Sequence, residues 1–108
     1  MAKYHNRKVT RDGETFDSVK EYRRFCELRL LERAGAVTDI RRQVKFEMIP
    51  AQRIDGKVVE RACGYVADFV YMENGQQVVE DTKGMRTQEY RLKRKLMLWV
   101  HGIRIRET

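Results

Sequence analysis

One proline, two cysteines and two histidines are all that the 108 residues contain of these types, and each scarcity closes a class of reading. Cys26 and Cys63 stand far apart with no Cys-x-x-Cys spacing, so neither a disulfide framework nor a zinc site is indicated, and a reducing cytoplasm suits the chain. Cys26 falls among apolar helix positions, the setting of a buried structural thiol. His5 and His101 lie near opposite ends without companions at ligand spacing, so neither is expected to be functional. No apolar run approaches the roughly 18 residues that a spanning helix needs, and the first eight residues are polar, so neither a membrane nor a signal peptide is expected. Acid is in the minority, with 16 Asp and Glu against 23 Lys and Arg, a net charge of +7. A small basic domain suits a polyanion, nucleic acid before anionic membrane. What is plentiful is aliphatic and aromatic, enough for one core and one domain over 1–108, with 1–6 a basic and flexible tail.

The most informative stretch runs from Tyr65 to Gly84. An apolar segment with a single acid, Asp68, leads into Asn74-Gly75, and a second segment ends in Glu80-Asp81-Thr82-Lys83. Asn-Gly between β-rich segments predicts a hairpin, because both central positions of a type I′ turn need positive φ. The turn sets Glu73 opposite Gln76, Val70 opposite Val79 and Asp68 opposite Asp81. Like charges so placed are destabilising. A divalent cation is the simplest relief, since hard ions such as Mg²⁺ bind through one or two carboxylates and complete their shell with water and phosphate oxygens. Alternation along the strand puts Lys83 on the side of Asp81, and Glu80 and Thr82 on the other. Tyr65–Met72 is apolar on both faces apart from Asp68, the pattern of a central strand, where an unpartnered acid costs several kcal/mol.

Around this hairpin, Lys8 to Phe16 with Asp12-Gly13 predicts a smaller one. Ser18-x-x-Glu21 has the form of a capping box opening a helix to about Ala34, with Gly35 as its stop. Val19, Tyr22, Phe25, Cys26, Leu28 and Leu30 form its apolar stripe, while Lys20, Arg24 and Glu27 face solvent. Two readings compete for Glu21: it completes the cap, or it is a third carboxylate aimed at the sheet. Val37 and Ile40 suggest a short extended piece, and Val44–Met48 a half-buried strand that Pro50 ends. The polar segment 51–64 reads as a hairpin or loop on the rim, either a substrate-contacting flap or a solvated excursion. Thr87 caps a second helix to about Val100, with Leu92, Leu96, Trp99 and Val100 inward and Arg91, Arg94 and Lys95 outward, Arg86 and Lys93 nearby. That basic face, with Lys3, Arg7 and Lys8 of the tail, is a candidate for phosphate contact. Ile103–Ile105 predicts a last strand at the sheet edge.

A helix with Glu21, a strand with Asp68, a strand with Asp81-x-Lys83 and a basic helix together resemble the PD-(D/E)XK nuclease superfamily. At closer range, Lys-Tyr-His-Asn-Arg-Lys at the start, Phe16-Asp17-Ser18 with Glu21, Val79 to Gly84 and Thr87 to Leu96 resemble small phage and prophage proteins similar to Holliday junction resolvases. Ala67 stands where the superfamily often has proline. The resemblance implies an α+β, restriction-endonuclease-like fold, a central mixed sheet between two helices in the order (ββ)αβββαβ. It implies a Mg²⁺- or Mn²⁺-dependent endonuclease of the host cytoplasm, resolving branched DNA. Asp68, Asp81, Glu21 and the Thr82 carbonyl would hold the metal, and Lys83 would position water or stabilise developing charge. Paired nicks in a four-way junction require two sites, hence a homodimer. Action on flaps, ends or replication intermediates, and a DNA-binding module without catalysis, are the alternatives.

Overall fold

Three dipeptides ending in glycine punctuate the chain, and each turns a hairpin. Asp12-Gly13, Asp55-Gly56 and Asn74-Gly75 all have positive φ at both residues, as type I′ turns demand. The computed structural model describes residues 7–83 and 86–108; Lys3, His5 and the rest of the expected tail, and Gly84, lie outside the described residues. The first turn joins β1 (Val9–Arg11) to β2 (Glu14–Phe16), which leads into α1 (Val19–Arg33). Then follow β3 (Val37–Ile49), the pair β4 (Gln52–Ile54) and β5 (Lys57–Glu60), and the central hairpin of β6 (Cys63–Glu73) and β7 (Gln76–Asp81). The chain ends with α2 (Gln88–His101) and β8 (Arg106–Glu107).

The main sheet has the order β3-β6-β7-β8, antiparallel except for the parallel β7–β8 pair. It is a mixed sheet in an α+β chain, with a helix on each face. Leu28 of α1 packs with Val37, Phe69 and Tyr71, whereas Tyr90 and Met97 of α2 pack with Tyr65, Ala67, Val70 and Val79. No helix among the described residues is long and apolar enough to cross a membrane.

Several local expectations need correction. The short extended piece and the strand after it are one strand, β3, which passes through a bulge between Thr38 and Arg41 instead of breaking. The last strand is Arg106–Glu107, not 103–105, because Gly102 at φ 68 ends α2 and Ile105 goes into the core beneath it. In α1, Val19 and Leu30 are exposed and Arg24 faces inward, so the buried stripe is narrower than spacing suggested. In α2, Leu92, Trp99 and Val100 are exposed, Trp99 at 86%, and Tyr90 and Met97 face the sheet with Leu96 at the border. Both sets have helical spacing. The second wins because Tyr90 and the neighbouring Arg94 find Glu107 of β8.

Candidate functional site

Ser18 caps α1 as expected, its hydroxyl accepting from the Glu21 N–H at 3.1 Å. The Glu21 side chain nevertheless goes inward. It is 1% exposed, its Oε1 accepts from the Asp17 N–H at 2.8 Å and its Oε2 from Gln43 Nε2 at 2.8 Å. Cap and site are thus compatible, since the backbone N–H serves the first and the carboxylate the second.

The central hairpin has the register that the Asn74-Gly75 turn sets, from Glu73 opposite Gln76 to Phe69 opposite Glu80. Asp68 and Asp81 are one step beyond the last pair. Here the regular alternation fails: Tyr65 and Ala67 pack with α2, yet Phe69 and Tyr71 pack with α1. Asp68 marks the changeover, and its Oδ2 accepts from both the N–H and the hydroxyl of Thr82, each at 2.9 Å. Thr82, expected on the face of Glu80, instead holds Asp68 with its N–H and hydroxyl, because β7 ends at Asp81 and strand alternation no longer governs the next residue.

Asp81 is 1% exposed. Its Oδ2 accepts from the Tyr65 hydroxyl at 2.6 Å and from Lys83 Nζ at 3.0 Å, while its Oδ1 is buried with no hydrogen-bond partner among the described residues. Burial, and then the neighbouring Asp68 carboxyl, push Asp81 up to about 7. Glu21 is raised for the same two reasons in the same order. Lys83 Nζ also lies 4.5 Å from the centre of the Tyr90 ring. The triplet's backbone is tied to the chain's end, where Thr108 N–H donates to the Asp81 carbonyl and Lys83 N–H to the Thr108 carbonyl.

Glu80, expected on the opposite face, is fully buried against α1. Arg24 grips it twice, Nε to Oε2 at 2.7 Å and Nη2 to Oε1 at 3.0 Å, and the Tyr71 and Thr108 hydroxyls donate to it as well. Arg86 and Arg94, two of the expected phosphate contacts, both bind Glu107; Lys93 pairs with Glu89. Arg91, Lys95, Arg7 and Lys8 are exposed. Gln43, Tyr65 and Arg24 were not anticipated. An alternating strand, an apolar run and a helix's polar face gave no signal for them.

Among the described residues no group of three or more His, Cys, Asp and Glu side chains is placed to hold an ion. The acids nonetheless fit a hard cation. Such an ion needs only one or two carboxylates beside water and phosphate oxygens, and Asp81 Oδ1, next to Asp68, is a buried oxygen without a donor among the described residues. That pair has a consequence for stability. Between pH 4 and 7 the folded metal-free chain keeps an Asp81 proton that the unfolded chain releases, so stability falls as pH rises through this window, by up to roughly 4 kcal/mol. Glu107, lowered to about 2 by Arg86 and Tyr90, acts in the opposite sense and only below its ordinary range. Urea unfolding in chelator should therefore give a lower midpoint at pH 8 than at pH 5.5. Equal midpoints would contradict the raised carboxyl.

A family model described as "Protein of unknown function (DUF1064)" matches residues 1–103. No curated protein and no solved structure matches the chain.

Proposed function

We propose that this chain, which belongs to the family described as protein of unknown function (DUF1064), is a metal-dependent DNA endonuclease that resolves branched DNA such as four-way junctions. The observation that carries the reading is the convergence of Asp68, Asp81 and Lys83 at one end of the central hairpin, with Glu21 reaching the same place from α1. Two carboxylates brought together at a cost to stability are explained when something needs their combined charge.

Asp68 and Asp81 would hold a Mg²⁺ or Mn²⁺ ion, with the Thr82 carbonyl as a further oxygen donor. When bound, the ion supplies charge stabilisation at the scissile phosphate and lowers the pKa of a coordinated water. Thr82 keeps Asp68 from rotating, and Tyr65 fixes one oxygen of Asp81, so the carboxylate oxygens are preorganised for a cation. Lys83, anchored by Asp81 and resting on the Tyr90 ring, presents an ammonium that can orient water or meet charge growing on the phosphate. Glu21 sits behind, held by Asp17 and Gln43, where it orients the site instead of bearing substrate. Exposed Arg91 and Lys95 on α2, and Arg7 and Lys8 ahead of β1, supply cations for the backbone. Cutting a four-way junction symmetrically requires a homodimer.

The test is incubation with Mg²⁺ or Mn²⁺ and a labelled four-way junction, beside linear duplex, single strand and flap. Paired symmetric cuts in the junction are expected, abolished by chelator. Preferred cutting of flaps or ends would replace the junction as substrate, and binding without cutting under either metal would leave only a DNA-binding module.

A further inference from the structure

Five described residues other than glycine have positive φ: Asp12, Asp39, Gln43, Asp55 and Asn74. Asp and Asn reach that region readily, because their short polar side chains bond the local backbone. Glutamine has no such advantage. Gln43, at φ 52, is inside β3 and away from any turn, between Arg42 opposite Phe69 and Val44 opposite Ala67. It thus sits across from Asp68, where the central strand changes from packing on α2 to packing on α1. Such backbone strain persists where surrounding structure requires it, and it gathers at functional positions.

The twisted backbone brings the Gln43 amide between two acids. Nε2 donates to Glu21 Oε2 at 2.8 Å and reaches Asp68 Oδ1 at 3.5 Å. The amide's orientation follows from chemistry, since the reverse would set its oxygen against two carboxylates. Arg42, one residue earlier, approaches Glu21 only to 3.9 Å and is committed to Glu14, the Thr15 carbonyl and the Phe16 ring.

We infer that Gln43 is a positioning residue for the proposed metal site, the neutral donor that couples the helix acid Glu21 to the strand acid Asp68. Neutrality is the point. A lysine or arginine in this place would satisfy both carboxylates and cancel the charge that attracts a divalent ion, whereas an amide fixes their geometry and leaves the charge intact. The inference rests on the metal-site reading above.

Gln43→Ala and Gln43→Gly are to be titrated with Mn²⁺ by calorimetry, alongside metal-free thermal unfolding and cleavage of the four-way junction. Both variants should bind Mn²⁺ about 10- to 100-fold more weakly than the wild type, the usual effect of removing an outer-shell partner. Both variants lose the bond to buried Glu21, but glycine accepts positive φ freely, so Gln43→Gly should unfold at a higher temperature than Gln43→Ala while binding Mn²⁺ no better, a combination that a role in the backbone alone would not produce. Wild-type Mn²⁺ affinity in Gln43→Gly overturns the inference, whether or not DNA is cut. Weakened Mn²⁺ binding in the variants, with no DNA form cut by the wild type, supports the role of Gln43 and removes the nuclease instead. Absence of Mn²⁺ binding by the wild type overturns both.

Discussion

Asp81→Asn should lower cleavage of the preferred DNA by at least about 10²- to 10³-fold, the scale of removing one preorganised charge-stabilising group from an active site, while leaving the protein folded. Asparagine has the same shape, and its side-chain oxygen can still accept from the Tyr65 hydroxyl, which donates to Asp81 Oδ2 at 2.6 Å. What disappears is the negative charge beside Asp68. That charge is costly to the metal-free protein, because burial and Asp68 both oppose ionisation of Asp81. The same substitution should therefore hold or raise the thermal midpoint at pH 8 in chelator. Opposite movements of activity and stability mark a residue kept for chemistry. Undiminished cleavage would sink the assigned site, and a collapsed midpoint would show that Asp81 supports the fold.

Arg24→Ala is expected to have the largest effect on stability, a loss of about 3 kcal/mol, corresponding to a fall of roughly 10–20 °C in the thermal midpoint of a domain this size. Glu80 is fully buried, and Arg24 supplies the cation of its network. Without it the carboxylate keeps, among the described residues, the Tyr71 and Thr108 hydroxyls, and an ionised group left with neutral donors carries most of its desolvation cost. Because Arg24 retains 21% side-chain exposure, water can enter in its place, which puts the loss at the low end of the range for buried pairs. Adding Glu80→Gln to Arg24→Ala should return part of the stability, and the double-mutant cycle measures the coupling directly. A loss under about 1 kcal/mol would mean the pair is worth no more than a surface ion pair.

These two neighbours on β7 illustrate what could be read in advance. Asp81 was identifiable because Asn74-Gly75 fixes pairing with no help from distant residues, and counting back from the turn brings Asp81 to Asp68. Alternation likewise assigned Glu80 to the other face. Its partner was not legible, because Arg24 lies on α1 among residues with the composition of a solvated surface, and only the docking of helix on sheet brings a guanidinium to a buried carboxylate. Glu21 is intermediate. Ser18-x-x-Glu21 locates the helix start correctly, but the same residues would read identically if the carboxylate only closed the cap.

The sequence by itself determined the Asp12-Gly13 and Asn74-Gly75 hairpins, the helix caps and the proximity of Asp68 to Asp81, all features set by local contacts or by counting from a turn. The tertiary structure decided the rest. It chose Tyr90 and Met97 over Leu92 and Trp99 as the buried side of α2, turned Arg24 inward, and changed the facing of β3 and β6 at Gln43 and Asp68. Each of those outcomes depends on which surface an element meets, and helical or alternating spacing is equally consistent with more than one.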